Sequence, residues 1–151
     1  MLSSPELIKI LNDKKYNFVI NEHDALFTVK DSENLRGKIN GAHTKNLFLK
    51  NKKDQFFLLS CEENEDINLK TISKSLNFGN TSFAKENYLN QYLGVKPGSI
   101  SPFALLNDKN NKVNFYLENS LYDSKFINFH PLINTVTITI ETNRFMEFMI
   151  E

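Results

Sequence analysis

Two apolar segments in the first half of the chain limit what it can fold into. Residues 46–50 and 55–61 are rich in leucine and phenylalanine, and the four polar residues 51–54 separate them. Two short apolar runs joined in this way are typical of a β-hairpin, whose strands run antiparallel. The pattern favours a sheet with antiparallel pairs over a doubly wound parallel sheet, and it places Lys45 at the start of the first hairpin strand.

Other segments predict helices and strands around this hairpin. Ser3, Ser4, Pro5 and Glu6 resemble the opening of a helix capped by a serine, which predicts a helix over residues 4–15. The alternation over residues 135–140 predicts the clearest strand, followed by a helix from about Thr142. We also predict strands at 16–20 and 27–29, helices at 31–37, 68–77 and 81–93, and a second hairpin from 103–106 and 113–117.

These elements predict one α+β domain over residues 1–151. Its core should be a mostly antiparallel mixed sheet, or a barrel-like one, of about six or seven strands with about four or five helices. The chain of 151 residues is 40% hydrophobic and 24% charged, which is ordinary for a globular domain. No apolar run approaches the ~18 residues of a membrane span, and the N-terminus lacks a signal-peptide pattern, so we expect a cytoplasmic protein without membrane contact.

Charge is unevenly distributed along a chain whose formal net charge is zero. Six cations occur between residues 36 and 53 without an acidic residue among them: Arg36, Lys38, Lys45, Lys50, Lys52 and Lys53. Such a patch suits a phosphate-bearing partner held over a short footprint. Charge runs are also common on solvated surfaces, so charge alone does not separate a binding patch from a solvated hairpin turn.

Familiar catalytic motifs are absent from the sequence. His23, His43 and His130 lack the spacing of a zinc site, and Cys61 at the end of an apolar strand is better interpreted as a buried thiol than as a nucleophile. Neither a GxSxG elbow nor a GxxxxGK phosphate loop occurs. The segment 95–102 contains two prolines and Gly98, which exclude a regular helix or a central strand and predict a shaped loop.

Four segments taken together resemble one known family. FTV (27–29), GAHTKNLFLK (41–50), VKPGSISPFALLND (95–108) and FHPLINTVTITI (129–140) are similar to the YbaK/EbsC family of aminoacyl-tRNA deacylases, which is related to the editing domain inserted in bacterial prolyl-tRNA synthetases. Within that family they are most similar to the free-standing Ala-tRNA(Pro) deacylases of the ProXp-ala type. The similarity runs in order along nearly the whole chain.

The resemblance implies roles for particular residues. Lys45 matches the lysine that holds a backbone phosphate at the 3′ end of the tRNA, and Asn46 matches a neighbouring residue that positions the substrate end. His130 matches a histidine at the pocket of the alanine-specific branch. Lys50 and Arg36, from the basic patch, are further candidate tRNA contacts.

The loop residues match the family's GxxxP loop, which lines the aminoacyl pocket and orients the ester. They are Gly98, Ser99, Ile100, Ser101 and Pro102. Preorganised backbone N–H groups in such a loop can stabilise an oxyanion by ~3–4 kcal/mol each. Gly98 permits a backbone conformation closed to other residues. The family uses no metal, cofactor or covalent nucleophile, and a water activated by the substrate's own ribose hydroxyl and by backbone groups attacks the ester.

The resemblance therefore implies a trans-editing hydrolase that removes alanine from Ala-tRNA(Pro). Its expected partners are the 3′ end and acceptor stem of tRNA(Pro) and, through docking, prolyl-tRNA synthetase. Two alternatives stay open. One is a deacylase of the same fold for Cys-, Ser- or Thr-tRNA, and the other is a non-catalytic module that binds tRNA or protein. Three features also have a purely structural interpretation: Lys45 as an edge-strand charge, the 95–102 loop as a connection between elements, and His130 as a loop-capping histidine.

Overall fold

The computed structural model describes residues 1–24 and 41–150. Its helices are α1 (Ser4–Asp13), α2 (Leu69–Ser75), α3 (Glu86–Tyr88), α4 (Asn119–Tyr122) and α5 (Thr142–Ile150). Its strands are β1 (Phe18–Glu22), β2 (Ala42–Asn51), β3 (Phe56–Glu62), β4 (Thr81–Phe83), β5 (Val113–Leu117), β6 (Phe126–Phe129) and β7 (Val136–Glu141). A π-helical turn, Leu89–Leu93, continues α3, and a 3-10 helix covers Pro102–Asn107. The predictions for residues 27–29 and 31–37 lie outside the described residues.

The N-terminal helix begins at a capping box. The Ser3 hydroxyl accepts a hydrogen bond from the Glu6 N–H (3.3 Å), and the Glu6 carboxylate accepts one from the Ser3 N–H (3.1 Å). Leu7 and Leu11 lie one turn apart, are fully buried, and pack in the cluster that also holds the apolar side of α5. The predicted N-terminal helix is confirmed over Ser4–Asp13.

The strands form one mixed sheet in the order β1-β7-β6-β2-β3-β5, with β4 paired to β2 off this path. The pairs β1–β7, β6–β7, β2–β3 and β2–β4 are antiparallel, whereas β2–β6 and β3–β5 are parallel. The predicted first hairpin is confirmed as β2–β3, and the predicted strand at 135–140 is confirmed as β7. Because β1 and β5 end the strand order, the described sheet is open, and the mixed-sheet prediction is confirmed rather than its barrel-like variant.

The two faces of the sheet have different surroundings. Side chains alternate between faces along a strand. The core face carries Phe48 and Ile127 and is covered by α1, α5 and residues between 89 and 105. The opposite face carries Leu49 and Phe57 at one end, where they pack beneath α2. Its other end carries polar side chains and forms part of the candidate site.

The predicted second hairpin is wrong. Pro102–Asn107 form a 3-10 helix instead of a strand, because the Ser101 hydroxyl accepts the Phe103 N–H (3.2 Å) and caps a helical turn. The Asp108 carboxylate then accepts the Val113 N–H (2.8 Å) and fixes where β5 begins. β5 pairs in parallel with β3, a long-range partner that local sequence does not indicate.

The helix predicted over 81–93 is confirmed only in its second half. Thr81–Phe83 form β4, which pairs antiparallel with the end of β2, and helical turns occupy Glu86–Tyr88 and Leu89–Leu93. The helix predicted over 68–77 is confirmed as α2. In the described ranges, 1–24 and 41–150, no helix is long and apolar enough to cross a membrane.

Candidate functional site

Strand β2 changes its neighbour partway along one edge. β6 pairs with it in parallel only as far as His43, and β4 pairs with it only from Leu49 onward. β3 occupies the other edge throughout this region. Residues 45–47 therefore have one edge that no described strand pairs with. We call this gap between β6 and β4 the β2 opening.

The main-chain groups of Asn46 face the β2 opening. Backbone N–H and C=O groups of successive strand residues point alternately to the two edges. The His43 carbonyl accepts the Glu63 N–H (2.9 Å) on the β3 side, whereas the Phe48 carbonyl accepts the Ala84 N–H (2.9 Å) on the β4 side. Asn46 shares the parity of Phe48, so its N–H and C=O lie along the opening. They are placed to hydrogen-bond a polar group that enters there.

Lys45 is the fourth residue of β2, so the prediction that it starts the strand is wrong. By alternation its side chain lies on the opposite face, with that of His43. It is half-buried, and its ammonium donates a hydrogen bond to the Glu65 carbonyl. A phosphate oxygen is a stronger acceptor for an ammonium than a neutral carbonyl is, so this bond can be exchanged for one to a ligand.

Cys61 lies opposite Lys45 in the β2–β3 register and is fully buried. Burial raises the pKa of its thiol to about 12, and the nearby charge of Lys45 offsets only part of that rise. The thiol is therefore protonated at neutral pH and unreactive. The interpretation of Cys61 as a buried thiol is confirmed.

His130 follows the last residue of β6. β2 and β6 run parallel, and their last pair is His43 with Asn128, so His130 lies two residues beyond the paired stretch, at the end of β6 that borders the β2 opening. Its Nδ1 lies 2.9 Å from the Val136 carbonyl. A carbonyl only accepts, so Nδ1 carries the proton and the neutral ring keeps Nε2 as an acceptor. Its role in substrate binding stays a prediction, since the same bond suits a loop-capping histidine.

His23 lies beside His130, with ring centroids 5.9 Å apart. Its Nδ1 donates to the Asp24 carbonyl (2.8 Å), and its Nε2 is hydrogen-bonded to the Thr137 hydroxyl (2.7 Å). Sequence spacing did not indicate this pair, because the two histidines are more than a hundred residues apart. Among residues 1–24 and 41–150, no three His, Cys, Asp or Glu side chains form a group that could hold a metal ion.

The segment 95–102 is a shaped loop, as predicted. Gly98 has φ 88°, in the region that favours glycine, and the Ser99 N–H donates to the Lys96 carbonyl (3.0 Å), which closes a turn. Ser99 and Ser101 are buried, and Ile100 packs on the core-face cluster. The loop therefore lies on the core face, whereas the side chain of Lys45 lies on the other.

Asn46 is the predicted site residue that shares the core face with this loop. Its side chain is half-buried, and its Oδ1 accepts a hydrogen bond from the hydroxyl of Ser60, directly opposite on β3. Ser60 was not among the predicted site residues. The one signal for it in the sequence is a hydroxyl within the apolar run of β3.

The other predicted tRNA contacts are placed differently. Lys50 forms an ion pair with Asp54 (2.8 Å) and lies 5.8 Å from the ring centre of Tyr88, so its charge is already partly compensated. Arg36 lies outside the described residues. The structure thus brings Lys45, Asn46 and His130 to the β2 opening, and it leaves Lys50 near the far end of the same strand.

Acid is expected to destabilise the fold through His130. Burial lowers the pKa of His130 below its ordinary value of 6.5, the Val136 hydrogen bond opposes this, and His23 and His43 add to it. Below pH 6.5 the unfolded chain therefore binds a proton that the folded chain excludes, so stability falls as the pH falls. Thermal unfolding midpoints from about pH 7.5 to about 5.5 should fall less steeply in His130→Asn than in the wild type. Equal slopes would contradict this account.

Two comparisons with known proteins agree on one family. The family model described as the aminoacyl-tRNA editing domain matches residues 23–148. The prolyl-tRNA editing protein ProX of Acetoanaerobium sticklandii is 30% identical over 135 residues, which cover 89% of this chain and 82% of that protein. Prolyl-tRNA synthetase associated domain-containing protein 1 of Xenopus laevis is 33% identical over 149 residues, which cover 95% of this chain and 88% of that protein.

Solved structures share the fold. One described as a candidate trans-editing enzyme for prolyl tRNA synthetase superposes with a TM-score of 0.74 at 16% identity, and the match covers 99% of this chain and 94% of that one. The family match includes the β2 opening, the 95–102 loop and His130. The resemblance noted in the sequence is thereby confirmed: the chain belongs to the aminoacyl-tRNA editing domain family.

Proposed function

We propose that this chain is a trans-editing hydrolase that deacylates mischarged tRNA(Pro), with Ala-tRNA(Pro) as its substrate. Water attacks the aminoacyl ester and releases alanine and free tRNA(Pro). The family supports aminoacyl-tRNA deacylation as the reaction, and relatives named for prolyl-tRNA editing support tRNA(Pro) as the acceptor. The names of the family and of the relatives do not specify which amino acid is removed, so alanine is a further part of the proposal.

The observation that carries the proposal is the β2 opening. A half-buried lysine lies on β2 there, a neutral histidine follows the end of β6 that borders the gap, and the main chain of Asn46 faces the gap. A cation, an imidazole acceptor and exposed peptide groups suit an anionic strand end that carries an ester. In this arrangement Lys45 holds the terminal phosphate, and Asn46 lies where the ester crosses the edge of β2.

The loop residues complete the proposed site from the core face. Gly98 sets the turn, Ser99, Ile100 and Ser101 line the aminoacyl pocket, and Pro102 limits how far the loop can relax. Backbone N–H groups held in this way stabilise the developing oxyanion without reorganising during the reaction. His130 stands beyond the end of β6 and limits the size of the aminoacyl group. Lys50 and Arg36 contact the acceptor stem.

Alanine is proposed because of how proline is selected. A synthetase pocket shaped for proline cannot exclude a smaller side chain, and missing methylene groups are worth only ~1–3 kcal/mol of discrimination. A second pocket that admits alanine and rejects proline removes the resulting error. We propose that residues 1–151 act as one domain in the cytoplasm, without a metal or cofactor, and that prolyl-tRNA synthetase is a docking partner.

A panel of charged tRNAs tests the proposal. We expect the purified protein, in the presence of a chelator, to deacylate Ala-tRNA(Pro) at least about 100-fold faster than Pro-tRNA(Pro), the range that a hydrophobic size sieve provides. Comparable rates on the two substrates would refute the proposal. Faster hydrolysis of Cys-, Ser- or Thr-tRNA would reassign the pocket to another amino acid. If none of the charged tRNAs were hydrolysed, the chain would be a non-catalytic binding module.

A further inference from the structure

Ser60 is held in place on both sides within the sheet. It lies on β3 and is fully buried, with Asn46 of β2 opposite on one side and Leu117 of β5 on the other. Its carbonyl accepts the Glu118 N–H (2.9 Å). Its hydroxyl donates to Oδ1 of Asn46. A buried hydroxyl requires a partner, and Asn46 supplies it.

This bond decides which part of the Asn46 amide is presented to solvent. An asparagine amide has an oxygen that accepts and an NH2 group with two donors, at opposite corners of one plane. Because Ser60 donates to Oδ1, the NH2 group points away from Ser60. Asn46 is half-buried, so part of this residue is accessible to solvent beside the β2 opening.

The chemistry of the donors restricts the ligand atom. An NH2 group binds oxygen acceptors, such as a carbonyl, a ribose hydroxyl oxygen or a phosphate oxygen. It does not bind the α-ammonium of an aminoacyl group, which has only donors.

We propose that Ser60 is a positioning residue that fixes the Asn46 amide with its NH2 group toward an oxygen atom of the aminoacyl end. The inference rests on the proposed function, because it names how that same site recognises its substrate. Ser60 itself contacts no substrate and acts only through Asn46. An apolar residue could fill this buried position on β3 with no hydroxyl that needs a hydrogen-bond partner. The presence of a serine there therefore agrees with a positioning role for its hydroxyl.

A double-mutant cycle tests the coupling. We expect Ser60→Ala to lower kcat/KM on Ala-tRNA(Pro) by roughly 5- to 10-fold, the usual worth of one hydrogen bond, mainly through kcat. In an Asn46→Ala background the same change should have little further effect, because the group that Ser60 orients is gone. Asn46→Asp keeps an acceptor for Ser60 but loses the donors, so it should be at least as impaired as Asn46→Ala.

Ser73→Ala is the matched control. Ser73 is also buried, and its hydroxyl is hydrogen-bonded to that of Thr81 on β4, away from the β2 opening. Both serine variants should lower the thermal midpoint by similar amounts, but Ser73→Ala should keep wild-type kcat. Additive losses from Ser60→Ala and Asn46→Ala, or an active Asn46→Asp, would overturn the inference alone. A wild-type protein inactive on Ala-tRNA(Pro) would instead overturn the proposed function, and this inference with it.

Discussion

Replacing Lys45 with alanine is expected to lower kcat/KM on Ala-tRNA(Pro) by roughly 10- to 100-fold, the worth of one charge-assisted hydrogen bond to a phosphate. In the structure the ammonium donates to the neutral Glu65 carbonyl, and we propose that a tRNA phosphate takes the place of that carbonyl. Steady-state deacylation at several salt concentrations measures the effect. The wild-type rate at subsaturating tRNA should fall more steeply with salt than that of the variant, because one phosphate contact is missing in the variant.

Two further variants distinguish a specific phosphate contact from a general effect of positive charge on activity: Lys53→Ala and Lys45→Arg. Lys53 is an exposed residue of the β2–β3 turn, so its replacement should leave kcat/KM within about twofold, as expected for a solvated surface charge. Arginine keeps the positive charge but changes its shape, so Lys45→Arg should recover only part of the activity. A wild-type rate for Lys45→Ala, or an equal loss of kcat/KM for Lys53→Ala, would show that Lys45 does not act as a specific phosphate-binding residue.

The parts of the fold that the sequence predicted are those with local signals. The capping box of α1 lies within four residues, the β2–β3 hairpin is closed by a short polar turn, and β7 alternates without interruption. In each case, neighbouring residues determine the local conformation. Gly98 belongs to the same class, because its positive φ follows from a turn that its own segment builds.

The parts that were missed depend on distant partners. Thr81–Phe83 resemble the start of a helix, but pairing with β2 makes them a strand, and β5 pairs in parallel with β3, which lies more than a third of the chain earlier. The contacts of Asn46 with Ser60 and of His130 with His23 likewise cross between separate elements. No periodicity within one segment encodes such contacts.

The sheet also refines the predicted site. The sequence places Lys45 and Asn46 side by side, and the resemblance assigns the 98–102 loop to the pocket that they serve. Strand alternation sends the two side chains to different faces, and the loop packs on the face of Asn46. A substrate that reaches both must therefore lie at the edge of β2, where β6 has ended and β4 has not begun. The change of partner along this strand is thus the feature that makes room for a site within an otherwise continuous sheet.

Replacing Gly98 with alanine is expected to lower kcat on Ala-tRNA(Pro) by roughly 10- to 100-fold, which is the loss of rate expected when one oxyanion donor is partly or fully displaced. Gly98 has φ 88°, where a side chain costs about 1–2 kcal/mol. The variant loop would relieve that strain by rotating its peptide groups, which opens the turn between the Ser99 N–H and the Lys96 carbonyl and displaces the Ile100 N–H. Single-turnover deacylation with saturating enzyme isolates this chemical step, and the tRNA affinity should change little.

Gly79→Ala is the control for strain alone. Gly79 also has a positive φ, 77°, and a Cβ added there meets nothing within 4 Å. Both glycine variants should therefore lose about 1–2 kcal/mol of unfolding free energy in a denaturant titration, since both hold a side chain in the left-handed region. Only Gly98→Ala should lose single-turnover rate, because only that strain lies in the loop that we propose presents N–H groups to the ester. If the two variants kept equal rates, the backbone of this loop would take no part in hydrolysis, and the oxyanion would have to be stabilised from the β2 opening, with the main-chain N–H of Asn46 as the donor.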